Sequence, residues 1–141
     1  MAIRQLSVFV ENKKGSLHEI TDTLAGAGID LRSMCVADTS NYGIVRIIAD
    51  DPEKAKKLLD SEGHAANVRL INAFAVPDQP GGLAKVLRLL EGKGVNIDYM
   101  YALITSEDGK AYSVMRTDNT DETDKILLEN GIELLDEGKL N

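Results

Sequence analysis

Two short segments of the sequence combine glycine with oxygen-bearing side chains, a combination that suits the binding of a small charged molecule. Glycine has no side chain, so the backbone N–H groups beside it can approach an anion closely, and a helix that begins there adds the attraction of its dipole. Asn12 and Asp78, which open the segments, carry oxygens that can accept hydrogen bonds from an ammonium group. The segments are Asn12-Lys13-Lys14-Gly15-Ser16-Leu17 and Asp78-Gln79-Pro80-Gly81-Gly82-Leu83.

A second pair of segments follows the first, one in each half of the chain. In these the side chains of Asp30 and Asn96 supply further acceptors for a ligand's ammonium group. All four segments also have a plainer interpretation, because glycine near a helix start is usually a backbone device and a polar residue after a helix-ending glycine is usually a turn former. The second pair is Gly28-Ile29-Asp30-Leu31 and Gly94-Val95-Asn96-Ile97.

The segments recur because the chain contains one unit twice. A shift of 66 residues places Gly15 on Gly81, and it also places Gly28 on Gly94. Beyond the middle of each copy the best shift becomes 68 residues, as a hairpin two residues longer in the second copy would require. A repeat of this length indicates two similar domains, which we predict to span residues 1–70 and 71–141.

The first half of each copy predicts a strand followed by a helix. In the first copy Leu6, Val8 and Val10 alternate with polar residues, as on a half-buried strand. Apolar residues at helical spacing then predict a helix that Ser16 caps and Gly28 closes in the left-handed conformation.

The second half of each copy predicts a hairpin, a helix and a last strand. The hairpin turns around Thr39-Ser40-Asn41-Tyr42 in the first copy and at Asp108-Gly109 in the second. The helix begins at Asp51, which is followed by proline, or at Asn119, which has capping-box spacing to a glutamate. A short apolar strand, at 66–70 and at 132–135, then completes each copy.

The element order is therefore βαββαβ, twice. A chain with this order makes a four-stranded antiparallel sheet with both helices on one face, so the fold class is α+β with two tandem ferredoxin-like domains. A unit of about 70 residues buries only about 60% of its unfolded surface. We therefore expect the copies to pack rigidly together and the chain to form a homodimer.

Composition excludes several classes of partner. The net charge of −7 opposes binding to nucleic acid, and no apolar run approaches the length of a membrane span. With no secretion signal and a lone Cys35, the protein is expected in the cytoplasm. His18 and His64 lie far apart without a thiol or carboxylate cluster, so neither a metal site nor a cofactor is predicted.

The four segments resemble the signatures of the ACT family. The first pair is similar to its loop between first strand and helix, commonly Asn or Asp followed by Pro-Gly and an aliphatic residue. Gly94-Val95-Asn96-Ile97 is very close to the second signature, and the resemblance covers the chain twice. In the first copy Lys14 stands in place of the proline and Asp30 in place of the asparagine, so that site either differs in ligand or is inactive.

The resemblance implies a non-catalytic regulatory protein that binds an amino acid between ACT-like domains and controls a separate enzyme of amino-acid metabolism. The alternatives are a ferredoxin-like hydrolase similar to acylphosphatase, and a structural adaptor without ligand. Against the hydrolase, the chain holds no Gly-rich nucleotide loop and no Gly-x-Ser-x-Gly. The implied ligand-binding residues are Asn12, Lys14, Gly15, Ser16, Leu17, Asp30, Leu31, Asp78, Gln79, Pro80, Gly81, Gly82, Leu83, Asn96 and Ile97.

Overall fold

The computed structural model of the chain describes residues 2–38 and 42–140. Contacts between residues divide the chain into two compact units, one of Arg4–Arg69 and one of Leu70–Asn141 with Met1–Ile3. In chain order the elements are β1 (Ile3–Glu11), α1 (Ser16–Gly26), β2 (Leu31–Asp38), β3 (Tyr42–Ala49), α2 (Pro52–Ser61), β4 (Ala65–Pro77), α3 (Gly82–Gly92), β5 (Ile97–Ala102), β6 (Lys110–Thr117), α4 (Thr120–Glu129), β7 (Glu133–Leu134) and α5 (Glu137–Leu140).

The first unit contains an antiparallel sheet in the order β2-β3-β1-β4. Val8 pairs with Val45 between β1 and β3, and Met34 pairs with Ile47 between β2 and β3. Alternate residues of β1 and β3 are apolar and point to one face of the sheet, as predicted. Both helices pack on that face. The buried core consists mainly of Leu6, Val8, Ile20, Leu24, Val45, Ile47, Ala55 and Leu59.

The second unit repeats this arrangement with β5-β6-β4 in order and β7 on the other side of β4. Phe74 pairs with Ser113 of β6 and with Leu134 of β7. Its core joins the inward residues of β4 and β6 to both helices, through Phe74, Val76, Val86, Leu90, Met115 and Leu127. The predicted fold class, tandem ferredoxin-like α+β, is confirmed. The boundary predicted between residues 70 and 71 stays a prediction.

The helices begin in two different ways. Asp51 caps α2 by accepting a hydrogen bond from the Lys54 N–H at 3.0 Å, and Asn119 caps α4 in the same manner, as predicted. By contrast, α1 and α3 follow left-handed glycines and have no side-chain cap. The prediction that Ser16 is the cap is wrong: because Gly15 turns the chain at φ 91°, Ser16 is already the first helical residue and is buried.

The hairpin of the second copy has a longer connection than a tight turn. The β5–β6 connection is a longer loop, since Leu103 donates to the Tyr112 carbonyl at 2.9 Å and keeps the strands together beyond Ala102. The chain turns at Asp108 and Gly109, as predicted, but these residues form only the last turn of a longer loop. The turn predicted around Thr39-Ser40-Asn41-Tyr42 in the first copy falls largely on 39–41, outside the described residues.

The last strand of the first copy continues directly into the first strand of the second. β4 runs from Ala65 to Pro77 without a break, so the strand predicted at 66–70 is only its beginning. No glycine interrupts this stretch, and proline appears only at its end, which explains why the strand can continue. The corresponding strand of the second copy, β7, is shorter than the predicted 132–135.

Candidate functional site

The second glycine loop, residues 78–82, folds tightly between β4 and α3. Gly81 adopts the left-handed conformation with φ 86°, which glycine reaches at little cost. Gly82 lies so close to the carbonyl of Pro77 that a Cβ on it would sit 2.3 Å from that oxygen. Both glycines are therefore required by the backbone, and together they bring the first turn of α3 against the end of β4.

A cavity of about 510 Å³ lies beside this loop, and we call it the second-copy cavity. Val76, Val86 and Ile132 form its apolar wall, while Gln79, Pro80, Gly81 and Gly82 form one rim. Its volume is in the range of pockets that hold small ligands. The polar side chains on its lining are those of Gln79, Lys85, Lys110, Asn130 and Glu133.

The first unit has a smaller cavity of about 270 Å³ beside its own glycine loop, which we call the first-copy cavity. Its lining is mostly polar and contains one ion pair and one contact between a histidine and a carboxylate. Lys13 lies 3.2 Å from Glu11, and the ring Nε2 of His64 lies 3.7 Å from the Glu19 carboxylate. The complete lining is Phe9, Val10, Glu11, Lys13, Ser16, Glu19, Gly63 and His64.

An ionic cluster stands at one side of the second-copy cavity. Lys110 lies 2.7 Å from Glu133 and 3.3 Å from Glu107, and these two hydrogen bonds hold the pKa of Lys110 above its ordinary value. Lys139 of α5 also bonds Glu133, so hydrogen bonds from Lys110 and Lys139 hold the pKa of the Glu133 carboxyl below its ordinary value. Burial raises the pKa of Tyr112, whose hydroxyl donates to Glu107 at 3.2 Å. Lys110 is thus neutralised by its own neighbours.

Removing the Glu133 charge is expected to weaken the fold at neutral pH but not in acid. Because the folded pKa of Glu133 is depressed, its contribution is complete above the ordinary value of 4.5 and is lost as the pH falls through the folded pKa. Glu133→Gln should therefore lower the urea midpoint at pH 7, with a gap from the parent protein that closes below 4.5.

Urea unfolding followed by circular dichroism from pH 7 down to about pH 3 measures this gap. Glu129→Gln is the matched control, because Glu129 is an exposed α4 residue 4.0 Å from Lys125 and should leave the gap small at every pH. A Glu133→Gln gap that stays constant into acid would show that the carboxylate charge contributes nothing.

The structure brings only part of the predicted site residues to the cavities. In the second copy, Gln79, Pro80, Gly81 and Gly82 line the cavity, whereas Asp78 and Leu83 adjoin the rim without lining it. Of the site residues predicted in the first copy, only Ser16 lines the first-copy cavity. The remaining first-copy residues are exposed or half-buried and do not line it, although four of them adjoin the lining residues Lys13 and Ser16: Asn12, Lys14, Gly15, Leu17, Asp30 and Leu31.

The two predicted segments of each copy do not meet within their own unit. Gly81 precedes α3 and Asn96 follows it, and an 11-residue helix is about 16 Å long. Asn96 instead donates to the Asp98 carboxylate at 3.0 Å, and Ile97 packs on the core. Asp30 similarly lies 3.2 Å from Arg32. Within one unit, a ligand the size of an amino acid therefore reaches the loop of residues 78–82 but not Asn96.

Several lining residues were missed from the sequence. Lys85 lies one turn into α3, and the opposite wall comes from Asn130 to Glu133, after α4. A signal existed in the repeat itself, since Gly131 corresponds to Gly63 and marks the same helix end in both copies.

In the described part of the chain, no group of three or more His, Cys, Asp or Glu residues is arranged to hold a metal ion. None of the described helices is long and apolar enough to cross a membrane.

Two ferredoxin-like units in one chain, each with a cavity beside a glycine loop, define a class of tandem α+β domain pairs. The sequence matches the family described as ACT domain pair over residues 1–141. The chain belongs to this family, which supports a regulatory ligand-binding role, and no catalytic family is indicated.

Solved structures agree with this assignment. Protein BT0572 from Bacteroides thetaiotaomicron is 39% identical with a TM-score of 0.92, over 99% of this chain and 96% of that one. The regulatory subunit of aspartate kinase from Thermus thermophilus is 14% identical with a TM-score of 0.67, over 91% and 92%. The Thermus flavus subunit is 15% identical with a TM-score of 0.63, over 89% and 90%. The two Thermus subunits therefore share the fold of this chain. No curated protein gives a significant match.

Proposed function

We propose that this protein is a non-catalytic amino-acid sensor that controls a separate enzyme of amino-acid metabolism. The observation that carries the proposal is the loop of Gln79 to Gly82, which resembles the ACT ligand loop and forms one rim of a cavity of about 510 Å³. A binding site for a free amino acid must accommodate its carboxylate and its side chain. The loop offers backbone N–H groups beside glycine, and the cavity wall offers apolar surface.

Regulation requires that the ligand bind two states of the protein with different affinity. A homodimer supplies such states if the ligand changes how the two chains pair. The homodimer is therefore part of this proposal. Light scattering at micromolar concentration that shows twice the 15.3 kDa chain mass supports it, and a 15.3 kDa particle alone contradicts it. The controlled enzyme is proposed to be a separate chain, by analogy with the Thermus subunits named as regulatory subunits of aspartate kinase.

Thermal unfolding in the presence of each of the twenty amino acids tests the proposal. A ligand that binds only the folded state stabilises it by mass action, by about 2.7 kcal/mol at 100 times its Kd. One amino acid, or a few related ones, should therefore raise Tm by several degrees at millimolar concentration.

The D-enantiomer of each active amino acid is the matched control, because it carries the same charges and the same side chain. It should raise Tm less than the L-form does. If none of the twenty changes Tm, the chain is not an amino-acid sensor, and the adaptor without ligand becomes the better account.

A further inference from the structure

The first-copy and second-copy cavities occupy the same place in the repeated fold. All eight residues that line the first-copy cavity correspond to residues that line the second-copy cavity, six of them at a shift of 66 and two at a shift of 68. The concavity is thus a feature of the fold. Any difference in what the cavities bind must come from the side chains that differ between the copies.

Side-chain size explains why the volumes differ. Phe9 corresponds to Ala75, and Ser16 corresponds to Gly82, so the second copy has the smaller residue at both positions. These replacements are consistent with about 510 Å³ in one cavity and about 270 Å³ in the other. Pockets that bind small ligands usually have a volume of about 300 Å³ or more. The second-copy cavity is above this volume and the first-copy cavity is slightly below it.

The charge of the lining changes sign between the copies. The first-copy cavity has two carboxylates, Glu11 and Glu19, with the single ammonium group of Lys13. The second-copy cavity has the ammonium groups of Lys85 and Lys110 with one carboxylate. At one pair of equivalent positions the charge is directly reversed, because Lys85 occupies the place of Glu19. An anionic ligand is therefore favoured only in the second copy.

Lys85 is the lysine available to such a ligand. Lys110 is engaged by Glu107 and Glu133, whereas Lys85 has no ion pair with any residue that the structure describes. It lies one turn into α3, on the rim formed by Gly81 and Gly82. In the first copy, the equivalent Glu19 already faces His64 at 3.7 Å, so a ligand there would have to displace a residue of the protein itself.

The apolar wall defines the rest of the ligand. Val76, Val86 and Ile132 face the second-copy cavity, and Ile132 replaces the His64 of the first copy. Building on the proposed function, we infer that the chain binds one ligand, in the second-copy cavity, and that this ligand combines a carboxylate held by Lys85 with an aliphatic or aromatic body. The first-copy cavity does not bind it.

Calorimetric titration with L-leucine, L-phenylalanine, 4-methylpentanoate and 3-methylbutylamine tests this inference. The expected result is one site per chain for at least one of the two amino acids, with retained binding of 4-methylpentanoate, which keeps the carboxylate. No binding of 3-methylbutylamine is expected, because it lacks the carboxylate. Lys85→Glu, which gives the second copy the first-copy charge, should weaken binding by roughly tenfold or more.

Two controls reverse a charge elsewhere, the first in the same direction as Lys85→Glu and the second in the opposite direction. Lys93→Glu at the other end of α3 and Glu19→Lys in the first copy should each leave Kd within about twofold. Amino-acid binding that survives Lys85→Glu unchanged, two sites per chain, or equal affinity for 3-methylbutylamine would overturn the inference while leaving the sensor intact. If neither amino acid nor 4-methylpentanoate binds, the inference fails, and the sensor itself fails only if the other eighteen amino acids are also inactive.

Discussion

Replacing Asn72 by alanine is expected to lower the free energy of unfolding by about 3 kcal/mol. Asn72 is fully buried at the centre of a hydrogen-bond network in the second unit. Its Nδ2 donates to the Asp124 carboxylate at 2.7 Å and to the Thr120 carbonyl at 2.9 Å. Its Oδ1 accepts from Thr117 at 2.8 Å. Alanine would remove these three bonds while leaving the buried Asp124 in place, and the loss of a donor to a buried carboxylate is the largest part of the effect.

Urea unfolding of the variant measures this loss. Asn67→Ala is the matched control, since Asn67 lies on the same strand but is exposed, and it should change the unfolding free energy by less than about 0.5 kcal/mol. If Asn72→Ala costs no more than Asn67→Ala, the network does not stabilise the second unit.

Replacing Gly82 by alanine is expected to cost about 2–3 kcal/mol, because the new Cβ would sit 2.3 Å from the carbonyl oxygen of Pro77. That oxygen belongs to the backbone, so the end of β4 or the start of α3 must move to relieve the clash. The first turn of α3 forms the rim of the second-copy cavity, so the same variant should also weaken any ligand bound there.

Gly92→Ala is the control for Gly82→Ala on the same helix. A Cβ on Gly92 meets nothing within 4 Å and alanine favours a helix, so this variant should gain about 0.5 kcal/mol. Opposite signs for the two substitutions, measured by urea unfolding, would establish that close approach makes Gly82 necessary. A loss of less than 1 kcal/mol for Gly82→Ala would mean that the loop accommodates a side chain.

The fold could be predicted because it depends on a repeated pattern. The shifts of 66 and 68 residues identified two copies, and the apolar alternation and helix-ending glycines of each copy gave the element order. The caps Asp51 and Asn119 followed from local chemistry. Ser16 was misassigned because serine before a helix normally caps it, and the left-handed turn at Gly15 that places Ser16 inside the helix depends on the folded loop.

The site was predicted only in part because its walls come from distant segments. The loop of Gln79 to Gly82 is visible as a motif, but Ile132 and Glu133 reach the cavity only after α4 has packed beside α3. The Asn72 network was also hidden, since three of its four side chains have apolar equivalents in the first copy: Leu6 for Asn72, Ala49 for Thr117 and Ala55 for Thr123. Comparing the copies predicts shared elements and cannot predict the positions at which they diverged.

Amide hydrogen exchange of the protein, with and without a millimolar mixture of the twenty amino acids, tests the central claim most directly. Bound ligand suppresses local opening of the segments it contacts. The account predicts slower exchange in 79–86 and 130–134, around the second-copy cavity, and unchanged exchange in 13–19 of the first copy. Unchanged exchange in every segment would contradict amino-acid binding altogether.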